Sequence, residues 1–202
     1  MTEATAHAVH EEMETPYFHV SWQKLMMWLF IVTDALLFSA FLAGYLFTRL
    51  ASDRPWPAQD EIFSMNFITV MTFVLITSSA TMACAVKAAQ DGNRVLTKRF
   101  TMITMLIGFG FLGMQAVEWS HFIHDGARLT HNPWGVPGFS SYFFMMTGFH
   151  GSHVLIGAVI LLITALRTMP KRFSAEKVEL AGLYWHFVDL VWVFIFGCFY
   201  LI

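Results

Sequence analysis

The chain has 202 residues, of which 56% are hydrophobic and only 13% are charged. A soluble domain of this length carries about 25% charged residues, so the composition excludes an ordinary soluble domain and is typical of a membrane protein. A formal net charge of −2 gives no indication of a nucleic-acid partner, and none is expected. The first 20 residues hold four Glu and three His but neither Lys nor Arg. We therefore expect no cleavable signal peptide, and the first apolar segment would act as its own insertion signal.

Five apolar segments are each long enough to cross about 30 Å of hydrocarbon at about 1.5 Å per residue. Loops rich in Pro, Asp or Gly separate the first segment from the second and the third from the fourth. The sequence therefore predicts an all-α fold, an integral membrane bundle of five transmembrane helices at 21–202, preceded by a mobile cytoplasmic tail at 1–20. The predicted spans are about 25–47, 62–86, 100–123, 139–166 and 178–201.

Positive charge is concentrated in two of the loops, and basic loops stay on the cytoplasmic side. The loop after the third span has only Arg128, and the C-terminus has neither Lys nor Arg. We therefore expect a cytoplasmic N-terminus and a periplasmic C-terminus in the bacterial inner membrane. The two basic loops contain Lys87, Arg94, Lys98 and Arg99 after the second span, and Arg167, Lys171, Arg172 and Lys177 after the fourth.

Ionisable side chains occur at membrane depth in every span except the second. A charged Asp at a helix centre costs about 2.5–3.5 kcal/mol on insertion scales, so such groups normally face the bundle interior and have partners. Three pairs are spaced i, i+3, so we expect the members of each pair to share one helix face. The residues are Asp34 in the first span, Glu118 and His121 in the third, His150 and His153 in the fourth, and His186 and Asp189 in the fifth.

Three interpretations of these polar residues are open. They could form hydrogen bonds between helices, worth about 0.6 kcal/mol each in lipid. They could ligate haem or a metal, although two histidines at i, i+3 cannot clamp opposite faces of one haem, and no Cys lies beside them in a ligand pattern. They could also handle protons, because a carboxylic acid near neutral imidazoles can hold or pass a proton. The number of such residues exceeds what helix packing requires and favours the third interpretation in addition to the first.

The aromatic residues suggest packing and membrane interfaces. Trp185 and Trp192 are seven residues apart and share a helix face, which together with Tyr184 predicts a packed interior seam, with lipid contact as the alternative. Trp56, Trp134 and Tyr200 fall at predicted interfaces, where aromatic belts are common. Cys84 and Cys198 lie in apolar stretches without a CxxC pairing, so we interpret both as small hydrophobic residues.

The N-terminal tail places His7, His10 and His19 among its glutamates. It could be only a solvated acidic tail. It could also collect protons on the cytoplasmic side, because imidazole and carboxylate together buffer near neutral pH.

Four motifs in four separate helices resemble subunit III of the haem-copper oxidases, and they occur in the family's order. They are VTDALLFSAF at 32–41, QAVEWSHF at 115–122, TGFHGSHVLIG at 147–157 and LYWHFVDLVWVF at 183–194. The resemblance covers about residues 20–202, and the chain looks like the shortened bacterial form with five helices.

The resemblance implies properties that composition does not show. It implies a subunit without haem or copper, which belong to subunits I and II, and without a metal site of its own. It implies direct packing on subunit I, bound phospholipid, and a role in keeping proton uptake fast. Asp34 occupies the position of the family's carbodiimide-reactive intramembrane carboxylate, usually Glu, and Glu118 matches the acid of the QAxE motif. His150, His153, His186 and Asp189 match positions in the two strongest motifs.

The expected function is that of a non-redox core subunit of a proton-pumping cytochrome c oxidase, with cytochrome c or a supercomplex partner reached through other subunits. The alternatives are subunit III of a quinol oxidase, an accessory subunit of a nitric oxide reductase, a small haem-binding membrane anchor, and a secondary transporter. The transporter would show sequence repeats between its halves, and we find none.

Overall fold

The structure is a computed structural model that describes residues 21–53, 56–57, 62–167 and 174–201. It contains five long helices, each apolar and long enough to cross a membrane, so the predicted all-α bundle of five spans is confirmed. They are α1 (Trp22–Leu50), α2 (Met65–Gln90), α3 (Arg94–His124), α4 (Pro137–Arg167) and α5 (Ala175–Ile195), and α5 continues into a π-helical turn at Phe196–Tyr200.

The helix ends differ from the predicted spans by a few residues, most of all at the start of α3. This helix begins at Arg94, six residues before the predicted span, because its first turns are basic and hydropathy alone does not detect them. Asn93 caps the helix by accepting a hydrogen bond from the Leu96 backbone N–H at 3.1 Å. Gly92 precedes it with a positive φ of 72°, which permits the tight turn between α2 and α3.

Four helices form the body of the bundle, and α1 lies at its edge. Helix α2 packs on α3, α3 on α4, α4 on α5 and α5 on α2, whereas α1 packs on α4 and α5. In the apolar stretch of α5 that could span the membrane, 56% of the residues are buried, compared with 17% in the corresponding stretch of α1. The last helix is therefore the central one, and α1 presents most of its apolar surface outward.

Small residues let the central helix approach its neighbours closely. Trp185 of α5 is fully buried, and its ring lies against Gly108 of α3 and Gly157 of α4. A Cβ atom at Gly108 would lie 2.5 Å from Cη2 of the indole, and one at Gly157 would lie 2.9 Å from Cε3. Glycine at these two positions makes room for the indole, as small residues do in packed membrane helices.

Aromatic side chains close the end of the bundle where α5 terminates. Phe199 lies 5.3 Å from Phe139 and 4.7 Å from Tyr45, measured between ring centroids. Tyr200, expected at a membrane interface, is only 1% exposed and therefore packs inside the bundle at this end. The π-helical turn carries Tyr200 under Phe63, with 5.0 Å between the ring centroids.

Candidate functional site: polar groups inside the bundle

Asp34 and His153 form a contact between α1 and α4. Both residues are 8% exposed, and Oδ2 of Asp34 lies 3.3 Å from Nε2 of His153. The other ring nitrogen of His153, Nδ1, lies 2.8 Å from the backbone oxygen of Phe149. A carbonyl oxygen can only accept a hydrogen bond, so Nδ1 carries a proton.

This fixed proton determines what the pair can do. One further proton between Nε2 and Oδ2 gives either a neutral acid beside a neutral imidazole or a carboxylate beside an imidazolium. Both arrangements have no net charge, which suits a buried pair. A proton on either group therefore leaves the charge of this part of the bundle unchanged, and the contact itself is close without being a hydrogen bond.

Two adjacent serines of α2 meet the polar face of α5. Nδ1 of His186 lies 2.5 Å from Oγ of Ser79. Oδ2 of Asp189 lies 3.4 Å from Oγ of Ser78, and the indole N–H of Trp185 donates to that same Oγ at 2.9 Å. These contacts join α2 to α5 through five side chains that are buried or partly buried.

The hydroxyl proton of Ser78 has two possible acceptors. Besides Asp189, the hydroxyl lies 2.6 Å from the backbone oxygen of Leu75. The Leu75 contact is the shorter of the two and is therefore the stronger hydrogen bond. The Ser78 hydroxyl thus donates to Leu75 and, at longer range, to Oδ2 of Asp189.

Glu118 of α3 pairs with the last turn of the chain. The Tyr200 hydroxyl donates to its Oε1 at 2.9 Å, and Glu118 is 6% exposed. His121, one turn further along α3, is exposed, so the expectation that this pair points into the bundle fails for the histidine. Residues at i and i+3 are about 60° apart around a helix axis, which is enough to carry the second one out of the interior.

His150 lies in an aromatic enclosure at the centre of the bundle. The residue is fully buried, and its ring centroid lies 5.1 Å from Trp192, 5.8 Å from Phe111 and 6.4 Å from Phe38. Neither ring nitrogen has a hydrogen-bond partner among the residues that the structure describes. This histidine is therefore built into an apolar site, unlike His153 one turn away.

The aromatic residues of α5 are interior groups. Trp192 is fully buried and donates its indole N–H to Oγ1 of Thr72 at 3.1 Å. The Tyr184 hydroxyl donates to the backbone oxygen of His153 at 3.1 Å. Together with the hydrogen bond from Trp185 to Ser78, these contacts show that this side of α5 is a packed interior seam and not a lipid-facing surface.

The polar residues occupy separate places in the bundle instead of converging on one centre. Within the described ranges, no group of three or more His, Cys, Asp and Glu side chains is arranged to hold a metal ion. The partners on α2, Ser78 and Ser79, are not among the predicted residues, although paired serines inside an apolar helix are a known sign of interhelical hydrogen bonding. The tail histidines His7, His10 and His19 lie outside the described residues.

A sequence profile of the family described as cytochrome c oxidase subunit III matches residues 2–202, which is almost the whole chain. The chain belongs to this family of haem-copper oxidase subunits. The resemblance carried by the four motifs is therefore confirmed, and the five-helix bundle is that of a multi-pass membrane subunit of a bacterial respiratory oxidase.

Individual relatives of this subunit III carry two kinds of name. The quinol oxidase subunit 3 of Bacillus spizizenii is 36% identical over 88% of this chain and 85% of its own length. A probable quinol oxidase subunit 3 of Staphylococcus saprophyticus is 33% identical over 89% and 88%, respectively. The cytochrome c oxidase subunit 3 of Bacillus sp. strain PS3 is 34% identical over 88% and 84%.

Membership in the subunit III family defines the chain's role within a complex. Subunits of this family carry no redox centre, and the other subunits of the oxidase are the chain's partners. Most of the relatives are named quinol oxidase subunits, whereas the sequence led us to expect the cytochrome c branch.

Proposed function

We propose that this chain is the non-redox subunit III of a proton-pumping quinol oxidase, in which it packs directly on subunit I and supports proton uptake. Family membership supports the role of an oxidase subunit III, and the names of most relatives support quinol as the electron donor. Within the chain, the observation that carries the proton-related part is the Asp34–His153 contact at 3.3 Å. A buried carboxyl group close to an imidazole can store a proton next to a proton-consuming subunit, because the pair can stay without net charge.

We also propose that the basic loops lie in the cytoplasm, so that the N-terminus is cytoplasmic and the C-terminus periplasmic. The last turn of α2 and the start of α3 contribute Lys87, Arg94, Lys98 and Arg99 to one side. A reporter enzyme that is active only in the periplasm, fused after Ile202, should be active. The same reporter inserted at Gly92 should be inactive, and the reverse pattern would contradict the orientation.

Bound lipid is a further part of the proposal. An apolar cavity of about 140 Å³ lies between α1 and α5, lined by residues that include Ala35, Leu42, Phe187 and Phe194. Its apolar lining suits an acyl chain, and α1 itself offers a largely exposed apolar surface beside it. Lipid analysis of the purified complex, with and without subunit III, tests this: phospholipid should be lost together with the subunit.

Copurification from detergent-solubilised membranes tests the assignment to a terminal oxidase. The chain should copurify with a haem-bearing subunit I, and the isolated chain should show no visible absorption band. A Soret band in the isolated chain would instead support a haem-binding membrane anchor and overturn the proposal.

The electron donor is tested on the same preparation. A quinol oxidase should consume oxygen with a reduced quinone analogue and not with reduced cytochrome c. The second candidate, a cytochrome c oxidase, is favoured by the 34% identity to the cytochrome c oxidase subunit 3 of Bacillus sp. strain PS3. It predicts the opposite donor preference and a copper-bearing subunit II.

A further inference from the structure

His186 differs from the other ionisable side chains near the middle of the described helices, because it is only partly buried. The others are buried: Asp34, His150, His153 and Asp189. Nδ1 of His186 contacts Oγ of Ser79 on α2. The other ring nitrogen, Nε2, makes no hydrogen bond to the described residues, and unlike both nitrogens of His150 it is not enclosed by the bundle. His186 therefore presents an unpaired hydrogen-bonding atom at the surface of the protein.

This atom lies at the depth of the hydrocarbon core. His186 and Ser79 are each eleven residues from the nearer end of a membrane-length helix, Ala175–Tyr200 and Met65–Gln90, respectively. Eleven residues of helix cover about 16 Å, which is half the thickness of the hydrocarbon core. Water is absent at that depth, and an acyl chain offers no hydrogen bond. Contact with lipid alone would leave Nε2 without a partner, which is unfavourable for a polar group.

The surface around His186 is formed by α2 and α5 together. On α2, Ala83 lies one turn after Ser79 on the same side of the helix and is exposed, and Ile76 is 46% exposed. On α5, Val193 is 42% exposed, although α5 is the most buried of the five helices. We call these five residues, with His186, the α2–α5 face. Ser79 and Ala83 are small, so the backbone of a further helix can approach closely here.

We propose that the α2–α5 face is the docking surface for a transmembrane helix of subunit I, which brings a hydrogen-bonding side chain to Nε2 of His186. The partner atom has to come from a side chain, because the backbone groups of a membrane helix are satisfied within that helix. The inference rests on the proposed packing of this chain on subunit I and specifies the face that makes the contact. The cavity proposed for lipid lies on the α1 side of α5 and shares no residue with this face.

Site-specific photo-crosslinking in the intact oxidase complex tests which face meets subunit I. The photoreactive amino acid p-benzoylphenylalanine replaces Ala83 or, as a control, Val159 on α4, which is 43% exposed and belongs neither to the α2–α5 face nor to the lipid cavity. Native membranes are illuminated, and adducts are identified by peptide mass spectrometry. The Ala83 position should form an adduct with a transmembrane segment of subunit I in about tenfold higher yield than the Val159 position, because crosslinking requires direct contact.

Copurification of subunit I separates failure of this inference from failure of the proposed function. If subunit I copurifies but the Ala83 position crosslinks only to lipid or to a second copy of this chain, the inference is overturned and the proposed function stands. A subunit I adduct of equal or higher yield at the Val159 position has the same meaning. If subunit I does not copurify, the proposed function fails, and this inference fails with it.

Two amide variants of His186 test the hydrogen bond itself. The amide of Asn lies close to the position of Nδ1 and that of Gln close to the position of Nε2, and both amides donate and accept hydrogen bonds. His186→Asn thus keeps a partner for Ser79, whereas His186→Gln keeps the outward group. His186→Asn should release this chain from the complex at a severalfold lower detergent concentration than His186→Gln, measured as the fraction of complexes that retain it. Retention of the Asn variant equal to or better than that of the Gln variant would overturn the proposal.

Discussion

Oδ2 of Asp34 lies 3.3 Å from Nε2 of His153, and this contact joins the edge helix α1 to the body of the bundle. A second polar tie is the ion pair between Lys24 and Glu179, with 2.7 Å between Nζ and Oε1, at the end where α1 begins. Because that ion pair is partly exposed to solvent, it contributes little to stability. The buried pair is therefore the polar contact with the greater effect on how α1 is held.

Replacing Asp34 with Ala should weaken the attachment of α1 and leave the haem spectrum of the assembled oxidase intact. The change removes a contact between membrane helices worth about 1 kcal/mol and leaves Nε2 of His153 without its partner. Turnover-linked inactivation should become faster, measured as the loss of oxygen consumption over time. Ser39→Ala is the control on the same helix, because the Ser39 hydroxyl donates to the backbone of its own helix at Ala35. Loss of haem from the Asp34 variant would count against the proposed role.

Asp189 should tolerate an amide but not an aliphatic side chain. Asn keeps a side-chain oxygen that can accept a hydrogen bond from the Ser78 hydroxyl, as Oδ2 of Asp189 does, whereas Leu removes this acceptor from a buried polar site. The yield of assembled complex should stay close to wild type for Asp189→Asn and fall sharply for Asp189→Leu, with His186→Leu behaving like the latter. Leu190→Ala at the exposed neighbouring position is the control. An Asp189→Asn yield as low as that of Asp189→Leu would show that the carboxylate charge is needed.

Replacing either of two glycines of α3 with alanine should have different effects on the stability of the bundle. A Cβ at Gly108 would lie 2.5 Å from the Trp185 ring, whereas one at Gly110 would have no neighbouring atom within 4 Å. Gly108→Ala should therefore destabilise the bundle by about 1–3 kcal/mol through overpacking. Gly110→Ala should be neutral, or stabilising by up to about 1 kcal/mol through helix propensity. Thermal denaturation of the purified complex compares the two, and a Gly108→Ala midpoint equal to that of Gly110→Ala would refute the packing argument.

Deleting residues 1–16 tests whether the tail collects protons. The deletion removes His7 and His10 with four glutamates and leaves His19. If the tail supplies protons to the cytoplasmic surface, proton uptake during a single turnover should slow, as measured with a pH indicator in the external medium. A variant with His7→Asn and His10→Asn at full length separates loss of imidazole from loss of the tail. An unchanged rate in the deletion would remove the hypothesis.

The interior arrangement was only partly predictable from sequence. His150 and His153 were both expected inside, and both are buried, but their environments differ: one is enclosed by aromatic rings and the other faces a carboxyl group. His121 shares the spacing of those pairs and is nevertheless exposed. Spacing fixes the angle between two side chains on one helix, but not the rotation of that helix relative to its neighbours.

What the sequence determined by itself was the number of membrane spans, the membership in the subunit III family and the presence of costly polar groups at membrane depth. The spans and the polar groups follow from the length of each apolar segment and from the free energy of burying charge, and the family membership follows from four local motifs; all are properties of single segments. The tertiary structure decided which groups are partners: Asp34 with His153, Glu118 with Tyr200, and His186 and Asp189 with the serines of α2. It also decided that α5 is central and α1 peripheral. The physical reason is that helices this uniformly apolar carry little information about which face turns inward, so the rotation of each helix is set by side-chain packing between helices.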